Sequence, residues 1–106
     1  MAKNLKKVGV DYVSVSSGGI VPLTKMNEQE GFRSKMASII KKESKITTTT
    51  SGMFTKHSTV VKLINDKKID FITIARIIIK NPRWIYELAK KEKLNSFVPD
   101  QYKRIL

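Results

Sequence analysis

Three short β-branched segments, each followed by a stretch of helical period, restrict this chain more than any other feature of its sequence. Residues 10–16 (VDYVSVS) mix β-branched and aromatic side chains and stop at Ser17-Gly18-Gly19, which reads as a strand and a loop. In residues 28–43, Phe32, Met36, Ile39 and Ile40 fall at i, i+4, i+7 and i+8. That spacing predicts an amphipathic helix with Lys35, Lys41 and Lys42 on its wet face. Residues 46–50 (ITTTT) favour extended backbone because threonine is stiff at χ1, and Ser51-Gly52 ends the run. Thr55 is placed to cap a helix over 56–66 that buries Val60, Val61, Leu63 and Ile64. Residues 69–74 are almost continuously apolar, as in a strand covered on both faces. A short helical piece over 76–80 precedes Asn81-Pro82, an N-cap and first-turn pair that opens a helix through Trp84, Ile85, Leu88 and Ala89. The tail SFVPDQYKRIL has no clear period.

This alternation implies right-handed βαβ crossovers and a parallel sheet, an α/β fold. With 106 residues the chain holds one small domain at most. Three parallel strands leave two unpaired edges, so the inventory looks incomplete.

Several function classes drop out on composition. No cysteine is present, which excludes disulfides and thiolate metal sites and suits a reducing cytosol. Residues 1–20 lack a signal-peptide core, and no apolar run is long enough to span a bilayer, so a cytoplasmic protein without membrane contact is expected. Lys and Arg number 21 against 9 acidic residues, a net charge of +12. The lysines are spread in ones and twos along the chain without interleaved aromatics. That pattern fits solvated helix faces rather than a nucleic-acid footprint. There is no Ser/His/Asp set, no metal-ligand cluster and no carboxylate pair, and the lone His57 reads as a surface residue in the first turn of a helix.

The remaining candidate lies at two strand ends. One strand stops at Ser51-Gly52 and the next at Ala75-Arg76, where a short helix begins. Gly52 lets backbone approach an anion, amides at the helix start point toward it, and the Arg76 guanidinium adds a fork of charged donors. Arg76 could equally extend from a helix start into water.

GVDYVSVSSGG, GMFTKHSTVVKLINDKKIDFITIARIIIKNPRW and VPDQYKR resemble the C-terminal third of the old yellow enzyme family, in its bacterial NADPH dehydrogenase branch. The resemblance runs from Gly9 onward. It implies the last three βα units of a partial TIM (β/α)₈ barrel, whose whole needs about 250 residues. It further implies that Gly52, Ala75 and Arg76 hold the FMN phosphate. Arg104, in QYKR, would reach a neighbouring subunit's active site. NADPH or NADH would be the reductant in the complete enzyme. The family's catalytic histidines and tyrosine come from earlier strands, so none of its catalytic residues is expected here and the chain should be inactive alone.

This sequence departs from the family pattern at three places. Ala75 stands for a glycine, Lys67 takes a helix-ending glycine's place, and Thr49-Thr50 replace smaller residues. These departures read as drift under relaxed constraint. The expected partner is a missing N-terminal barrel portion or a second copy of the chain. The rival reading is a small basic module that binds nucleic acid or another polyanion.

Overall fold

In a computed structural model of the chain, residues 1–16, 29–94 and 99–105 are described. The chain forms two compact units, Met1–Ile74 and Ala75–Leu106.

The first unit contains α1 (Ala2–Lys7), β1 (Tyr12–Val15), α2 (Ser34–Ser44), β2 (Thr47–Thr50), α3 (His57–Asn65) and β3 (Phe71–Ile72). The strands form one parallel sheet in the order β1-β2-β3, as the alternation predicts. Val15 pairs with Thr50, and Thr50 with Ile72, so all three strands finish at the same edge. β3 has only two ladder residues, but it is extended on either side: Asp70 N–H donates to Thr48 O and Thr73 N–H to Thr50 O.

Strand alternation divides the sheet into two unequal faces. Val13, Val15 and Ile72 turn toward Ala37 and Ile40 of α2 and Leu63 of α3, and with Ile69 these side chains make the core. Thr48 and Thr50 share that face and are fully buried. Their hydroxyls donate to the Ile46 and Ser51 carbonyls, so burial leaves neither orphaned. The opposite face carries Tyr12, Ser14, Thr49, Phe71 and Thr73, and here Tyr12 and Phe71 are 60% and 61% exposed. The expected cover on both faces of the third strand is therefore not observed. Its unbroken apolar run hides an alternation between a covered Ile72 and a bare Phe71.

Other local expectations also need correction. α2 begins at Ser34, and Met36 and Ile39 are about half exposed. Ser34, Ala37 and Ser44 are its buried residues, because small side chains let the helix axis approach the sheet closely. Lys41, expected on the wet face, is half-buried in an ion pair with Asp70. Thr55 does not cap α3. Lys56 stands at the N-cap, and the Glu30 carboxylate accepts the N–H groups of Thr55 and Lys56 at 3.1 and 2.8 Å. Ile64, placed in the buried stripe of α3, is 38% exposed. The expected loop residues Ser17, Gly18 and Gly19 lie outside the described residues.

The second unit contains α4 (Arg76–Lys80), α5 (Trp84–Lys91) and a 3₁₀ helix (Asp100–Ile105) where the sequence shows no period. Asn81 is not the N-cap expected: Arg83 stands there, and Asn81 Oδ1 accepts the Arg83 N–H at 3.0 Å within the turn that precedes α5. Regular helix starts only at Trp84, after a Pro82-Arg83 turn. Trp84 and Ala89 are the buried residues of α5.

Lysines follow three helices in left-handed backbone: Lys45 after α2, Lys67 after α3 and Lys93 after α5, at φ 52°, 53° and 56°. Lys67 thus has the conformation expected of a residue in a helix-ending glycine's place. Lys67 N–H donates to Ile64 O and Lys68 N–H to Leu63 O, a closing turn that normally recruits glycine.

Candidate functional site

The candidate residues belong to different units: Gly52 to the first, Ala75, Arg76 and Arg104 to the second.

Gly52 is buried just past β2. Its φ is not left-handed, so the need for glycine here is steric. A Cβ on Gly52 would lie 3.3 Å from Gly31 Cα and 3.4 Å from Phe32 N, and the Gly52 carbonyl accepts the Gly31 N–H at 2.6 Å. The close backbone approach at this strand end is therefore made to the turn that leads into α2. Met53, the next residue, is itself left-handed at φ 54°, so the backbone turns sharply just past the candidate glycine.

That turn supplies an arginine which sequence reasoning overlooked. Arg33 lies with its guanidinium carbon 4.2 Å from the Phe32 ring centroid, and Nη1 reaches Ser51 Oγ at 3.4 Å. Its only sequence signal is Gly31 two residues earlier, which adopts φ +72° and bonds back to Gly52 past the end of β2. Beside it, Ser34 Oγ is buried and has no hydrogen-bond partner among the described residues.

In the second unit, Ala75 stands at the N-cap of α4, and its carbonyl accepts the N–H groups of Ile78 and Ile79 at 3.0 and 3.2 Å. Both Ala75 and Arg76 are exposed. Arg76 has no acidic partner among the described residues. Five residues of helix give α4 little macrodipole, which leaves the guanidinium as the main attraction for an anion. Arg104 sits exposed on the 3₁₀ helix, where Lys103 is paired with Asp100. His57 opens α3, in the first helical turn as expected, and is partly exposed.

Among the described residues no group of three or more His, Asp or Glu could hold a metal ion. No helix among them is long and apolar enough to cross a membrane.

No family model matches the chain. It is similar to an NADPH dehydrogenase of Geobacillus sp. (strain WCH70), with 32% identity over 103 residues, 97% of this chain and 30% of the relative. The NADPH dehydrogenases of Geobacillus thermodenitrificans and Clostridium acetobutylicum are 31% and 28% identical over 96% and 95% of the chain, again across 30% of their own length. The chain therefore spans about three tenths of the length of the curated relatives it matches.

Proposed function

We propose that this chain is the C-terminal part of an FMN-dependent NAD(P)H oxidoreductase of the old yellow enzyme type, contributing part of the FMN phosphate site. The observation that carries the reading is the bare face of the parallel sheet. Parallel sheets are covered on both faces in nearly every fold that uses them. Here helices cover one face while Tyr12 and Phe71 stand open on the other, around a shallow hollow of about 290 Å³ that Thr49 and Thr73 also line. In a closed (β/α)₈ barrel such a face is the packed interior, and the missing strands would cover it. The similarity to proteins named NADPH dehydrogenase, along nearly the whole chain, supports the same assignment.

Within that enzyme, Arg76 binds the phosphate. It is exposed, it lacks an acidic partner among the described residues, and it starts a helix four residues beyond β3. Gly52 lies two residues beyond β2, which finishes at the same edge as β3. Its lack of a Cβ lets the strand end and the Gly31 turn pack closely. Ala75 presents backbone to the same phosphate, with a methyl group where the family has none. Arg104 reaches toward a neighbouring subunit's site. The electron chemistry of such an enzyme is the flavin's, hydride from NAD(P)H being passed to an activated alkene. This chain supplies orientation and charge only.

Two measurements test the reading. With NADPH, FMN and an enone, the chain should give no turnover above free flavin, and robust turnover would overturn its incompleteness. In sedimentation the chain should associate with rising concentration through the bare face. Tyr12→Lys with Phe71→Lys should leave a folded monomer. A wild-type chain that stays monomeric at every concentration contradicts a face built to be covered.

A further inference from the structure

An open groove of about 550 Å³ lies at the other edge of the sheet, at the amino ends of β2 and β3, where Ile46, Thr47 and Asp70 form its floor. Lys41, Lys42 and Lys45 enter from the end of α2, and Lys67 and Lys68 from beyond α3. Two aspartates face these five lysines, and each is already engaged: Asp70 pairs with Lys41 at 2.9 Å and Asp66 with Lys68 at 3.2 Å. Lys42, Lys45 and Lys67 have no acidic partner among the described residues, so three ammonium groups share one concavity uncompensated.

Helix C-termini attract cations, and that accounts for lysines near these carbonyls. It does not account for Lys45. The Lys45 carbonyl receives Lys6 Nζ at 2.5 Å, so a lysine from α1 already stands at this helix end. Nor does it account for side chains at two left-handed positions, φ 52° and 53°, where glycine relieves strain. Lys93 shows that such a lysine also occurs after α5, outside the groove. The informative feature is that two of them converge on one groove that Lys42 also lines.

We propose that this groove is a binding site for a compact polyphosphate, independent of the flavin reading and at the opposite edge of the sheet from Gly52. Its volume lies within the range of small-ligand sites. No aromatic side chain lines it, so nucleic-acid bases have no surface on which to stack, and a phosphate chain without bases is the better match.

The test is calorimetric titration of the whole chain with inorganic tripolyphosphate at physiological salt. Lys45→Gly with Lys67→Gly removes two charges from the groove while relieving the backbone, so the variant should melt a few degrees higher and bind about tenfold more weakly. Lys90→Gln with Lys91→Gln removes the same charge from α5 and should bind as the wild type does. Equal weakening in both variants would reduce the effect to net charge and overturn the site. Absence of wild-type binding would overturn it as well. Tighter binding of single-stranded DNA than of tripolyphosphate would overturn the ligand class.

Discussion

Asp70 and Thr48 bond to each other twice: the Asp70 N–H donates to the Thr48 carbonyl at 3.0 Å, and Asp70 Oδ2 accepts the Thr48 N–H at 2.9 Å. The carboxylate thereby completes the ladder where β3 has not yet begun, and its other oxygen holds Lys41 of α2 against the sheet. Asp70→Ala should therefore destabilise the chain by roughly 1–3 kcal/mol, because it strands the N–H of a buried strand residue. Asp70→Asn keeps an acceptor and should lose less. Urea unfolding of both variants checks the order, and equal losses would contradict the backbone role.

Stability should fall in acid through two carboxylates. Partial burial pushes Asp70 upward, but the Lys41 hydrogen bond, the Thr48 N–H and the Lys41 charge together hold it below its ordinary value. Glu30 is likewise pushed up by burial and brought lower by the Lys56 and Thr55 N–H groups, the Thr59 hydroxyl and the Lys56 charge. Both groups bind fewer protons folded than unfolded. Their contribution is complete above the unfolded values and is lost as pH falls through the folded ones. Urea midpoints should be level from pH 7 to about pH 5 and decline toward pH 3. Glu30→Gln should flatten part of that decline, and an unchanged slope would contradict its role at the start of α3.

Glycine should improve this chain where lysine is left-handed. Lys67→Gly is expected to stabilise it by roughly 0.5–1 kcal/mol, the relief of the left-handed strain less the added freedom of the unfolded chain. Thermal melting reads the gain. No gain in flavin binding from Ala75→Gly would count against the idea that this position drifted under relaxed constraint.

The sequence made the strands and their parallel order legible, because β-branched runs and helical periods differ in kind. It was poorer at faces. In α2 the hydrophobic spacing marks Met36 and Ile39, yet close packing on the sheet selects Ala37 with two serines, and small residues carry no hydrophobic signal. In β3 an apolar run conceals one wet side, because Phe71 reads as buried until its face is found to have no cover. The capping role of Glu30 was invisible for another reason: its partners lie twenty-five and twenty-six residues onward. At the candidate site, the sequence singled out Gly52 and Arg76 but missed Arg33, which reaches Ser51 only through the fold.

The phosphate cradle is tested most directly by titrating the chain and its Arg76→Ala variant with FMN and with riboflavin, which lacks the phosphate. The account predicts that FMN binds more tightly than riboflavin. It also predicts that Arg76→Ala abolishes the difference, while Lys45→Gly with Lys67→Gly preserves it. Equal affinities for the two flavins, or a preference for FMN that survives Arg76→Ala, would contradict it.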